Sequence, residues 1–334
     1  MKSRLLILIL LAGAILAGAL AIGWWKGASQ PVSSDATPKS VLVVKGTSGV
    51  EVGNLLYEEK LIKSPLAFKI YIQFRGVASK IQAGEYQLAS NLTLGDLVAR
   101  LLRGPNEVWV TVPEGLRREE IPERFIAVLG LTEEQAVLFR EEFLENSAGS
   151  EGYLFPDTYL VPKDITGLRV FQIMRNTFDR KITDEMQALI DESEYSLEEL
   201  VILASILERE TKTDAERPTV AGIYFNRLAI GMALQADATA QYAVANTKCG
   251  TSSVNCDWWT KPTRADLQTD SPYNTYVYAG LPPAPIANPG LSSLAAVFDP
   301  QPSDYFYYIH DASGNIYYAE TLSEHNANVS RYLR

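Results

Sequence analysis

SLEELVILASILERETKTDAERPTVAGIYFNRLAIGMALQADATAQY, residues 196–242, carries the reading of the fold. Ser196 with Glu199 forms a capping box, which marks a helix start. The helix then runs through Leu200–Leu207, LVILASIL, apolar on every side, a pattern that belongs in the core of a sizeable domain. About three turns in, at ~3.6 residues per turn, it meets Glu208 at the rim of that core. A carboxylate against apolar surface is desolvated, its charged form is disfavoured, and it becomes a candidate general acid. Glu210 lies two residues on and points elsewhere. The next helix opens at Arg217-Pro218 and ends at Gly231. Gln235 and Asp237 follow in the connection, with Asp237 placed to cap a helix over Ala238–Ala245 that carries Thr239 and Tyr242.

Downstream, Cys249 and Cys256 are the two cysteines of the chain. They bracket a polar, Gly-containing stretch, CGTSSVNC, suited to a local disulfide. Thr263–Asn288, TRADLQTDSPYNTYVYAGLPPAPIAN, is dense in Pro and Tyr without helical or strand period, and so long a non-repetitive connection in a compact domain is usually functional. Tyr305–His310 and Asn315–Ala319 read as a hairpin, and Thr321 with Glu324 opens a last helix.

Upstream, Arg117–Leu129 and Thr132–Asn146 read as helices, EGYLFPDTYLVP (151–162) as an irregular aromatic loop, and Gly167–Ser193 as an amphipathic helix. Pro113-Glu114-Gly115 is a turn and a domain boundary. Before it lies a small α/β module of order β-α-α-β-α-β, beginning at Val41 and including the strand GEYQL, residues 84–88. Gly27–Lys39, rich in Ser, Ala, Pro and Gly, reads as a flexible tether. Lys2 and Arg4 precede Leu5–Ile22, which carries no charge, and Trp24-Trp25-Lys26 closes it like an interfacial belt. A cleaved signal peptide is the competing reading, but the run is longer than an h-region of ~7–15 residues, which favours an uncleaved anchor. The expected fold is thus α+β: a transmembrane helix (1–26), a linker (27–40), a small module (41–113) and a larger, mostly helical domain with a β-hairpin (114–334).

Composition limits the chemistry. At 47% hydrophobic and 21% charged, the 334 residues are globular, and the net charge of −10 without a basic block argues against nucleic acid as partner. Two histidines, His310 and His325, suffice neither for a metal site with the cysteines nor for a Ser-His-Asp centre. No Rossmann fingerprint or P-loop is present, so no cofactor is expected. Cleaving a glycosidic bond needs an acid for the leaving oxygen and something to capture the oxocarbenium-like centre. Glu208 suits the acid, although on spacing alone a helix-end glutamate paired with Arg209, Arg217 or Arg227 is the more common arrangement. Asp237, the second carboxylate a hydrolase would use, has its capping role as the simpler explanation. A lone acid suits a reaction in which a hydroxyl of the sugar itself captures the centre.

The motifs LASILERET, ERPTVAGIYFNRLAIGMALQADATAQY, SPYNTY, GLPPAPIANPG and EHN, with EGYLFPDTY and the GEYQL unit upstream, closely resemble the YceG-like family of endolytic murein transglycosylases. The resemblance spans almost everything from about Val41 onward. It implies a membrane-anchored bacterial enzyme that cuts peptidoglycan glycan strands between N-acetylmuramic acid and N-acetylglucosamine, leaving 1,6-anhydro ends, and a LysM-like character for the small module. It assigns the catalytic glutamate to Glu208 and glycan contacts to Gln235, Tyr273 and Asn274. Tyr242 and Asn226 join them as candidate substrate residues, and peptidoglycan synthases are candidate partners. A muramidase using Glu208 with Asp237, or a wall-binding scaffold without activity, are the alternatives.

Overall fold

The computed structural model describes residues 2–105, 107–249 and 256–333. The inner residues of the cysteine loop, 250–255, therefore lie outside the described part. The chain divides into two compact units, residues 1–109 with 160–164, and residues 110–159 with 165–334. It passes between them within β3 (Glu107–Thr111) and again at β4 (Thr158–Pro162).

The first unit holds α1 (Lys2–Ala28), β1 (Lys39–Val43), α2 (Gly49–Glu58), α3 (Pro65–Phe74), β2 (Gly84–Leu88) and α4 (Leu94–Arg103). β1 and β2 pair antiparallel, Val41 opposite Tyr86, and alternate so that Val41, Val43, Tyr86 and Leu88 face the core. Leu56, Phe68, Ile72, Leu97 and Leu101 fill that core from the helices. Ser48 and Glu51 close a capping box on α2, Ser64 with Pro65 starts α3, and Thr93 caps α4. The segment read as a tether is tied down: Leu94 donates to the Ser29 carbonyl, and Val32 and Ser33 donate to that of Ser90.

The second unit is built on α9 (Leu197–Glu210), whose residues Leu200–Leu207 are all buried. Around it lie α5 (Ile121–Leu129), α6 (Glu133–Asn146), α7 (Gly167–Lys181), α8 (Asp184–Glu192), α10 (Arg217–Ala229), α11 (Asp237–Cys249) and α12 (Leu291–Phe298). A hairpin of β5 (Tyr307–His310) and β6 (Ile316–Ala319) precedes α13 (Leu322–Tyr332). The Ser196–Glu199 capping box forms as its spacing predicts. Three expectations change. Residues 158–162, read as irregular, form β4 beside β3, because Tyr159 and Val161 turn inward in strand alternation. The helix expected over Gly167–Ser193 is two, since Thr183 caps a new start with its hydroxyl on the Met186 N–H. Helix α5 begins at Ile121 rather than Arg117, with Pro122 in its first turn.

Candidate active site

The two glutamates at the end of α9 face different surroundings, since a two-residue step turns a helix by about 200°. Glu208 has 6% of its side chain exposed and is fully engaged: Arg217 Nη2 lies 3.0 Å from Oε1, and Oε2 accepts the Gly290 N–H at 2.9 Å and the Ser293 hydroxyl at 2.8 Å. It anchors the start of α10 and the N-terminus of α12, where partial positive charge favours an anion. The apolar setting expected for this carboxylate is not what surrounds it. Glu114, in the turn read as a boundary, reaches over Gly290, where any Cβ would lie 1.8 Å from its Oε1. Partial burial and the Glu208 charge raise the Glu114 pKa.

Glu210 instead opens on a cavity of about 490 Å³, walled by Gln235, Asp237, Tyr276, Tyr308 and His310 among others. Its Oε1 accepts the Ala238 N–H at 2.9 Å, so Glu210, not Asp237, caps α11. The Tyr308 hydroxyl is 3.4 Å from its Oε2, and Tyr308 in turn meets the Tyr224 hydroxyl at 2.9 Å. Burial pushes the Glu210 carboxyl up to about 7, against the lowering effect of the Ala238 N–H. Asp237, expected as a cap, accepts the Tyr276 hydroxyl at 2.7 Å and adds its charge beside Glu210. The backbone at Gln235 is left-handed, with φ of 49°, its N–H donates to the Thr275 carbonyl, and the residue is exposed on the cavity. Arg227 holds this wall, donating to the carbonyls of Leu234 at 2.5 Å and Phe306 at 2.7 Å.

The other predicted substrate residues fall elsewhere. Tyr273 is half-buried and packs on buried Tyr242 at 4.7 Å between ring centroids, while the Arg117 guanidinium lies 4.0 Å over Tyr242 and 4.3 Å over Trp258. Asn274 is wholly buried: its amide donates to the carbonyls of Leu267 and Thr269 and accepts the Tyr276 N–H. It shapes the Tyr-rich loop and has no face left for a sugar. Asn226 likewise donates to the carbonyls of Ser303 and Tyr305, at 2.7 and 2.9 Å. Buried Glu216 accepts the Thr213 and Lys212 N–H groups and pairs with His310 Nε2 at 3.1 Å. Cys249 and Cys256 form a disulfide with Cα atoms 5.8 Å apart. Among the described residues no group of His, Cys, Asp and Glu is placed to hold a metal.

Sequence reasoning set Glu210 aside because a two-residue step points it away from Glu208. Only the partners of each separate them. It also passed over Asn288, whose buried amide accepts the Gly152 and Leu154 N–H groups and donates to the Leu116 carbonyl and to Glu151, tying residues 116 and 151–154 together.

A half-buried carboxylic acid at a helix end, opening on a cavity with tyrosines and an amide, is the setting of an acid–base enzyme acting on a polar substrate. The chain belongs to the YceG-like family, whose sequence profile matches residues 41–331. It is 30% identical over 346 aligned positions to a Bacillus subtilis (strain 168) protein named endolytic murein transglycosylase, covering 96% of this chain and 91% of that protein. A Streptococcus pneumoniae (serotype 2, strain D39) protein of the same name is 27% identical over 90% of this chain, which spans 60% of that longer protein. A crystal structure of a yceG-like protein from Listeria monocytogenes superposes with a TM-score of 0.55 at 28% identity, covering 87% of this chain and 98% of that one.

Proposed function

We propose that the chain is a peptidoglycan lytic transglycosylase in which Glu210 is the acid and then the base. The names of its relatives support the reaction, and the place of the Glu210 carboxyl on the cavity wall, which Glu208 does not line, is the observation that carries the residue assignment; burial raises its pKa in the direction an acid needs. Protonated Glu210 donates its proton to the oxygen linking N-acetylmuramic acid to N-acetylglucosamine as the C1–O bond breaks. The C6 hydroxyl of the muramic acid then closes on C1, its proton returns to Glu210, and a 1,6-anhydro end forms without consuming water. Asp237, held by Tyr276, supplies negative charge for the oxocarbenium-like centre, and Gln235 offers an amide to the sugar. Half-buried Tyr273 is the aromatic residue left to meet the strand away from the cavity, with buried Tyr242 and Arg117 packed behind it.

We read residues 1–26 as a membrane anchor with the rest on the extracytoplasmic side, because Lys2 and Arg4 precede the apolar run and one helix is long and apolar enough to cross a membrane. The β-α-α-β order of residues 41–88 supports the LysM-like assignment that the family resemblance implies. Peptidoglycan synthases fit as partners of an enzyme acting on nascent strands.

One experiment tests the assignment: Glu210→Gln and Glu208→Gln are compared on purified peptidoglycan, with mass spectrometry of the products and thermal unfolding in parallel. Glu210→Gln is expected to lower turnover by ~10²–10⁴-fold in a protein that folds normally. Full activity of a folded Glu210→Gln, with loss in a folded Glu208→Gln, returns the role to Glu208. The shared cavity of Glu210 and Asp237 favours one second reading, hydrolysis with Asp237 activating water, which would yield reducing rather than anhydro ends.

A further inference from the structure

Within the first unit, helix α3 buries Ala67, Phe68 and Ile72 and leaves Leu66, Ile70 and Phe74 on its outer side. These three recur every four residues, so they share one face of the helix. Their exposures are 56%, 42% and 91%, and apolar residues exposed side by side along one face, unlike single ones, mark a contact surface. The face is continuous with the end of α1. The Trp25 indole stacks on Tyr71 at 6.3 Å and 12° between planes, and Trp25, Ile70, Tyr71, Phe74 and Arg75 enclose an apolar groove of about 480 Å³. Helix α1 is the candidate membrane span, Leu11–Ala28, and Trp25 and Ala28 at its end pack on the core of this unit. A tryptophan pair at the end of a span sits at headgroup depth. The apolar face beside it is therefore carried to the same depth.

The charge around the face fits one partner. From residue 60 to residue 84 the chain has Lys60, Lys63, Lys69, Arg75 and Lys80, all exposed, and no Asp or Glu, in a protein of net charge −10. A leaflet rich in anionic lipid attracts such residues when they lie near its surface. We infer that the Leu66–Ile70–Phe74 face of α3 lies in the headgroup–acyl boundary of an anionic bilayer, seated by Lys69 on the helix and Arg75 at its end. It holds the small module against the membrane from which α1 emerges. This rests on the reading of α1 as an anchor.

The test uses the full chain in nanodiscs, with an environment-sensitive fluorophore on Phe74→Cys or, separately, on Leu16→Cys within α1. Cys249 and Cys256, paired with each other, leave the introduced thiol as the reactive one. Lipids spin-labelled near the headgroup should quench the label at 74. In discs containing phosphatidylglycerol, quenching should exceed that in phosphatidylcholine at least about twofold, and K69E/R75E should remove the difference. Quenching of the label at 16 by deeply spin-labelled lipid, with none at 74, would leave the anchor standing and overturn the inference. Quenching at neither position would remove the anchor and the inference with it. A label at 74 that shifts to the blue unquenched, the more so as protein concentration rises, would show a second copy covering the face and also overturn it.

Discussion

Glu208 and Glu210 are chemically identical and sit in different surroundings: one is held by Arg217, Gly290 and Ser293, the other opens on the cavity. Glu208 is a buried ion-pair partner that joins three helices, so truncating it strands Arg217. Glu208→Ala is expected to cost about 3–5 kcal/mol in chemical denaturation, the usual result of breaking a buried pair. Glu210 must be protonated to act as an acid, and its carboxyl sits at about 7. Turnover should therefore hold at mildly acid pH and fall as pH rises through about 7, and a pH–rate profile with a single descending limb there checks it. A limb near 4.5 instead would mean that the working acid is an unperturbed carboxyl. Asn274 and Asn226 carry a related lesson. Their motifs are legible in the sequence, but the loop carbonyls to which each amide donates are not.

At the scale of elements, α9 sets the second unit because its apolar residues leave no side for water, and the flanking helices must supply its cover. Helix α10 packs so closely on the segment after α12 that a Cβ on Gly222 would meet the Gln301 carbonyl oxygen at 2.3 Å, and that neighbour is backbone. Gly222→Ala should destabilise by about 1–3 kcal/mol, read as a lowered denaturation midpoint with unchanged slope. Capping boxes at Ser196, Thr132 and Thr321 were legible because each needs only residues three apart. The cap of α11 was not. It comes from Glu210, twenty-eight positions from Ala238, and no local pattern encodes it.

For the whole molecule, two desolvated carboxyls, buried Glu151 and half-buried Glu210, couple stability to pH. Burial raises Glu151 to about 8 and Glu210 to about 7 from an ordinary 4.5. Between 4.5 and those values the folded chain binds more protons than the unfolded one, so stability falls as pH rises across that window. The unfolding temperature should drop from pH 5 to pH 8, and Glu151→Gln, which keeps an acceptor for the Arg118 N–H, should flatten the curve. An unchanged slope in that variant would mean that Glu151 is ionised in the native state.

The sequence by itself determined the apolar N-terminal helix, the β-α-α-β module, the buried central helix with its cap, the hairpin and the family, because each rests on period, cap or motif within short range. Only the tertiary structure decided which glutamate meets the cavity, that Asn274 is buried on loop carbonyls while half-buried Asn226 holds those of Ser303 and Tyr305, and that the expected tether is bound to the module. Those outcomes depend on which distant backbone groups reach each side chain, and a linear pattern holds no record of that.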